Sequence, residues 1–204
     1  MFGKFASDTL GLSDIGKIIS PEDFHKVDSD DYIFSEDNEK IFFLIKSKSD
    51  EYCFTDRALI HVDGATAISK KRDLLRYEYF LNPITNVSLE TAGTIDLDVE
   101  IKFTIGEKYL SIDVDKKQLE QLKDLYKALI AIQMVQRENR VHLELSKESL
   151  NMALNSMGKI MSNTQNIAMD IKNINEYAFN WMNVNKETFT KKDYTDVFEK
   201  YINN

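Results

Sequence analysis

Between Ile95 and Ile105 every second residue is apolar: Ile95, Leu97, Val99, Ile101, Phe103 and Ile105 alternate with Asp96, Asp98, Glu100, Lys102 and Thr104. A period of two puts these sets on opposite faces of one strand, one buried and one wet. Shorter runs of the same kind predict strands over Ile41–Lys46, Glu51–Phe54 and Ala58–Val62, with a turn at Ser47–Asp50 and a tight corner at Thr55-Asp56-Arg57. Asp63-Gly64 signals a hairpin turn, and Gly106-Glu107 a two-residue one leading into Leu110, Ile112 and Val114. Residues 65–81 form the least regular strand region, with Tyr77, Tyr79 and Leu81 alternating against Glu78 and Phe80 before Pro83 removes a ladder donor. Val87, Leu89 and Thr91 make a further strand before a corner at Gly93, for about seven antiparallel strands in all.

The period changes after Val114. Asp115 with Gln118 forms a capping box, and Val114 with Leu119 a hydrophobic staple, so a helix starts here. Leu119, Leu122, Tyr126, Leu129 and Ile130, widened by Leu125 and Ile132, give it one apolar stripe. From Arg137 glycine and proline almost vanish. Leu143, Leu150, Leu154, Met157 and Met161 form one helical series, and Ile167, Ile171, Ile174, Ala178 and Trp181 form a heptad seam. Ser162, Asn163 and Thr164 break the two, which predicts a helical hairpin. Thr190 and Asp193 resemble a capping box, with Phe189 and Tyr194 as its staple, opening a last helix over Tyr194, Val197, Phe198 and Tyr201. Before the strands, residues 1–37 read as short helical pieces: Leu10, Leu12, Ile15 and Ile18 or Ile19 stand at helical spacing, and Ser20-Pro21 supports a fresh start. Asp28–Asp31 reads as a solvated loop.

Composition narrows the function classes. The 204 residues carry a formal net charge of −8, which repels nucleic acid and anionic lipid unless a local basic patch intervenes. The amino terminus lacks the apolar run of a secretory signal, and no apolar stretch approaches the ~20 residues of a membrane helix, so a cytoplasmic protein is expected. Cys53, the single cysteine, sits between Tyr52 and Phe54 in a strand and reads as a buried structural thiol. His25, His61 and His142 lie far apart, with no HExxH and no Cys/His cluster, so the spacing carries no metal signal and no cofactor is expected. No nucleophile with a base and no phosphate loop are recognisable, so no enzyme is expected either.

Phe54-Thr55-Asp56-Arg57-Ala58-Leu59-Ile60, Asp63-Gly64, Lys70-Lys71 and Ser88–Ile101 (SLETAGTIDLDVEI) closely resemble the bacterial pleckstrin homology (PH) family over about residues 35–136. The resemblance implies an α+β fold: a curved, partly open seven-stranded antiparallel barrel capped by one C-terminal helix. Members resemble one another in forming cyclic homo-oligomeric rings, some with a C-terminal helical hairpin that Arg137–Trp181 is similar to. The organisation expected is a helical segment at 1–34, a PH-like domain at 35–136, and a hairpin with a terminal helix at 137–204.

The function expected is a non-enzymatic scaffold, ring-forming through sheet edges and hairpin, that displays a polar surface to an unidentified protein partner. Ile167, Ile171, Ile174, Ala178 and Trp181 are the candidate oligomer contacts, with Trp181 expected to be buried against another helix. Asp56, Arg57, Glu90 and Thr91 are the candidate partner contacts, although the first two read more readily as a turn with its ion pair than as contacts at a protomer junction. Met152, Met157, Met161 and Met169 read as hairpin packing rather than a client groove. The competing reading is a peripheral membrane module reading anionic headgroups through Lys46, Lys48, Lys70, Lys71 and Arg72, with Arg76 nearby. Two lysines in the first hairpin, at about 1 kcal/mol each, are weak against the net charge. Asp96, Asp98 and Glu100 project from one strand face at ~6.6 Å intervals, too wide for all three to share a cation, and read as a solvated face.

Overall fold

The structure, a computed structural model, describes residues 14–64, 72–91, 98–160 and 167–202. Leu10, Leu12, Lys70, Lys71, Gly93, Ile95, Asp96, Leu97, Met161 and Ser162–Thr164 lie outside the described residues. The chain divides into two compact units: residues 1–133 with 192–204, and residues 134–191.

The first unit holds two antiparallel sheets. One has the order β1 (Lys17–Ile18), β2 (Ile41–Lys46), β3 (Glu51–Thr55), β4 (Ala58–Asp63), β5 (Asp73–Glu78); the other runs β6 (Ile84–Glu90), β7 (Asp98–Ile105), β8 (Lys108–Asp115). An isolated bridge joins them where Gly16 pairs with Val114, and among the described residues the two sheets do not close into a barrel. The alternation read along β7 holds: Val99, Ile101, Phe103 and Ile105 are all buried, as are Leu110, Ile112 and Val114 of β8. Gly106 turns the β7–β8 hairpin with φ +58°, a conformation costly to any side chain. Phe54 of the larger sheet meets Phe103 of the smaller at 6.2 Å between ring centres.

The β2–β4 sheet is buried on its other face too. Leu44, Cys53 and Ile60 align across the three strands and pack with Ile19 and Val27. The cover comes from two 3₁₀ turns, Pro21–Lys26 and Asp28–Tyr32. Asp28–Asp31 is therefore a turn lying on the sheet, with Ser29 fully buried, rather than a solvated loop. Ser20 precedes Pro21 as expected, but its side chain makes no capping bond.

Helix α1 (Leu119–Ile160) has 42 residues, about 63 Å at 1.5 Å per residue, and runs through position 136 without a break. Leu122, Leu125, Leu129 and Ile132 are fully buried. Its start departs from the expected capping box. Asp115 accepts from the Lys117 amide at 2.9 Å, but Gln118 reaches back 100 residues, accepting from Ile18 N at 2.8 Å and donating to Ile18 O at 2.9 Å. The same contacts explain why Ile18 is in a strand. Gly16 donates to Asp113 O, Asp115 donates to Gly16 O, and Ile19 donates to Leu44 O, so sheet partners outcompete a helix whose spacing was only local.

Helix α3 (Thr195–Tyr201) packs on the first unit, not on the extension to which its position in the chain assigns it. Phe198 stacks on Phe42 at 5.3 Å, Tyr194 meets Tyr79 edge-on at 5.7 Å, and Tyr194 N donates to Asp56 O. The helix starts later than the Thr190 box implies, with Asp193 accepting from Thr195 N at 2.8 Å. β5 ends at Glu78, so Tyr79 turns into this aromatic cluster while Leu81 is 66% exposed.

In the second unit, the later part of α1 lies antiparallel to α2 (Ile167–Thr188). Ser146 donates to Asn185 at 2.8 Å, and His142 meets the Phe189 ring at 4.9 Å. Leu150 of α1 and Ala178 of α2 are buried.

Candidate functional site

Lysines and arginines of the β2–β5 sheet are held by carboxylates. Lys46 and Glu51 face each other across β2 and β3 as a buried ion pair, with Glu51 only 1% exposed. Glu51 also accepts from Ser29 N at 2.8 Å and Asp28 N at 3.3 Å. Arg72 pairs with Asp28 at 2.9 Å and lies 3.8 Å from Glu51. Arg76 pairs with Glu39 at 2.9 Å and Glu78 at 2.6 Å, and its guanidinium lies 4.3 Å from the Phe34 ring centre. Lys48 is exposed.

The Thr55-Asp56-Arg57 corner is built from its own side chains. The Thr55 hydroxyl accepts from Arg57 N at 3.1 Å and Ala58 N at 2.9 Å, and it lies 2.5 Å from Glu39 Oε1. Asp56 is 1% exposed; its Oδ1 accepts from Lys40 N at 2.8 Å and its Oδ2 lies 3.5 Å from Arg57 Nε. Arg57 donates to Asp37 O at 2.6 Å. Asp56 is thus a clamp within the fold, and only Arg57 of this pair keeps exposed surface. Glu90 is largely exposed at the end of β6, where Lys102 bridges it at 2.6 Å to Glu100 at 2.7 Å; Thr91 follows it and is exposed. Asp98 and Glu100 stand on the outer face of β7, opposite Asp115 and Asp113 of β8.

These buried carboxylates set an acid limit. Burial pushes Glu39 upward, but hydrogen bonds from Arg76, Thr55 and the Phe34 amide outweigh it and leave it below the ordinary 4.5. Burial opposes ionisation of Glu51 also, and the Lys46 charge with the Ser29 and Asp28 amides again wins. A carboxylate with a depressed folded pKa stabilises above its unfolded value and loses that contribution as pH falls through the folded one. Burial raises Asp56, which acts in the opposite sense. With two groups against one, the urea midpoint should hold from about pH 7 to 5 and fall below about 4.5. Glu51→Gln should start less stable and fall less steeply; an equal slope in that variant would remove Glu51 from the account.

One cluster carries no spacing signal in the sequence. Asp50 closes the β2–β3 turn, and His61 and Asp63 stand two apart on β4, so they share a face. Ligand atoms of the three lie within 4.8 Å of one another. His61 is 4% exposed and stacks on Tyr52 at 4.4 Å. Burial and the nearby Asp50, Asp63 and Asp113 charges push the Tyr52 phenol up, so this end of the sheet is acidic. No motif could have signalled it, because the strand pairing and not the spacing joins Asp50 to His61.

On the hairpin, Ile174 is half-buried and Ala178 buried, as a seam requires, but Ile171 is 54% exposed and Trp181 36%. Trp181 stacks with Tyr177 and lines a cavity of about 360 Å³ with Leu143, Ser146 and Met182, so the expected burial is only partial. Met134, Val141, Leu145 and Met152 are exposed at steps of 7, 4 and 7, a single face of α1 opposite the one carrying Leu143, Leu150 and Leu154. Tyr177, Trp181 and Val184 form an exposed stripe on α2. Met152, Met157 and Met169 are also exposed, so they are not the internal packing expected of them. Among the described residues no helix is long and apolar enough to cross a membrane.

Residues 9–133 match the family described as Bacterial PH domain, and residues 144–204 match the YvbH-like oligomerisation region. The chain is 52% identical to the uncharacterized protein YvbH of Bacillus subtilis (strain 168) over the whole of both chains. It is 34% identical to the uncharacterized protein YjqA of the same organism over 48% of this chain and 78% of that one. The crystal structure of a PH-domain-containing protein from Exiguobacterium sibiricum 255-15 is 50% identical, with a TM-score of 0.84 over 93% of this chain and all of that one. With the PH match spanning the two-sheet unit and the second match beginning inside the hairpin, the chain belongs to the bacterial PH-domain family and carries a YvbH-like oligomerisation region.

Proposed function

We propose that the protein is a non-catalytic scaffold whose hairpin joins copies into a closed ring that presents PH-like units to a protein partner. The observation that carries this reading is the second apolar face of the hairpin. A helix pair needs one stripe per helix to close on itself; here Met134, Val141, Leu145 and Met152 remain outside on α1, and Tyr177 and Val184, with the exposed edge of Trp181, on α2. The two stripes are different surfaces, and pairing one with the other on the next copy is heterologous, which closes into a ring when the rotation permits. Arg57, Glu90 and Thr91 remain the proposed partner contacts, repeated around the ring so that weak contacts gain avidity. Asp56 supports Arg57 from beneath.

The pairing of Lys46, Arg72 and Arg76 with carboxylates supports a scaffold over a headgroup reader, since each cation would leave a carboxylate behind to engage a phosphate. Vesicle sedimentation at physiological salt decides between them. Negligible binding to phosphatidylserine or phosphoinositide vesicles is expected. Micromolar binding that vanishes when Lys70, Lys71 and Arg72 are replaced by Gln would establish the membrane reading instead.

A further inference from the structure

We propose that Asp50, His61 and Asp63 form a binding site for one divalent transition ion of the zinc class. The donor set is an imidazole with two carboxylates, which suits such an ion better than Ca²⁺ or Mg²⁺, whose ligands are oxygens. The Asp50 turn is held before any ion arrives. Ser47 Oγ accepts from Asp50 N at 3.0 Å, Ser47 N donates to Asp50 O at 2.8 Å, and Ser49 Oγ donates to Asp50 Oδ2 at 2.6 Å. Gly64 lies so close to the Ser49 carbonyl that a Cβ there would collide with it, so glycine lets the end of β4 press Asp63 toward the turn bearing Asp50.

His61 supplies the nitrogen donor, through Nε2. Its ring is 4% exposed, and Nδ1 is buried with no hydrogen-bond partner among the described residues. Nε2 lies 3.3 Å from Asp50 Oδ1, longer than the ~2.9–3.0 Å usual for an N–H···O bond. A tetrahedral ion with ~2.0–2.1 Å bonds holds its ligand atoms about 3.3 Å apart, the separation between His61 Nε2 and Asp50 Oδ1; Asp63, within 4.8 Å of both, closes on the ion when it binds. Charge points the same way. Asp63 faces Asp73 directly across the β4–β5 ladder, an arrangement that is destabilising without a counter-ion. The adjacent Arg72 pairs with Asp28, and its charge reaches Asp50 as well. The site is separate from the hairpin, and its test is independent of the ring.

Isothermal titration of the full-length protein with Zn²⁺, repeated with Co²⁺ in the spectrophotometer, tests the assignment. One ion per chain is expected, with visible Co²⁺ bands of tetrahedral intensity that Zn²⁺ abolishes. Asp63→Asn, nearly isosteric and partly exposed, should weaken binding at least tenfold while the far-UV spectrum is unchanged; His61→Gln should do the same, and His142→Ala should not. Absence of binding at 100-fold excess Zn²⁺, binding unaffected by Asp63→Asn, or equal affinity for Ca²⁺ would overturn the proposal.

Discussion

Replacing Leu145 and Met152 together by Asp should convert the assembled protein to monomers of 23.6 kDa in light scattering, with helix content unchanged. Both side chains are exposed on the chain alone, at 55% and 65%, so the carboxylates meet only water in the monomer. In an assembly that buries this face, each substitution forfeits ~1.5–3 kcal/mol of apolar burial and adds an unpaired charge. In the proposed ring that loss recurs at every junction. Ile171→Asp, at another exposed position, should act in the same direction. Ile174 is a poorer probe, because it is half-buried on the seam and its loss would also loosen the hairpin. A wild-type protein that is monomeric at micromolar concentration, or a Leu145→Asp/Met152→Asp variant of unchanged mass, would remove the hairpin face as the assembly surface.

The largest loss of stability is expected from Lys46→Met. It leaves Glu51, 1% exposed, without its lysine, and breaking a buried pair from one side costs about 3–5 kcal/mol. Typical domains have only about 5–15 kcal/mol in total, so the urea midpoint should drop sharply. The double variant Lys46→Met/Glu51→Leu should recover part of the loss, because no charge remains buried. It should not recover all of it: the buried Ser29 amide loses its acceptor, at about 1–3 kcal/mol, and the half-buried Asp28 amide loses a longer bond. A single variant within about 1 kcal/mol of wild type, or a double variant less stable than the single, would show that the pair is not the support described. The result also bears on function, because a lysine required inside the fold is a poor headgroup ligand.

What could be read from the chain was whatever neighbouring residues encode. Alternation along β7 and β8, the Gly106 turn, the Asp115 helix start and the helical character of α2 are local properties, and each recurs in the structure. The resemblance of the strand motifs added the PH layout, and the Thr55 hydroxyl gives that corner motif its physical reason.

Tertiary structure decided the features whose partners are distant. Gln118 leaves its capping box for Ile18, 100 residues away, and draws β1 into the sheet. Lys46 looked like a surface lysine until a 3₁₀ turn covered Glu51 beside it. Asp50 meets His61 only because β3 and β4 fold back, and Gly64 permits the approach. Helix α3 follows the hairpin in sequence yet completes the first unit through Phe198 and Tyr194, so a chain cut near Arg137 would uncover Phe42 and Tyr79. Periodicity tells which face of an element is apolar, because that is a property of its own backbone repeat. Which surface covers that face depends on burial summed over the whole fold, and no window of sequence contains that sum.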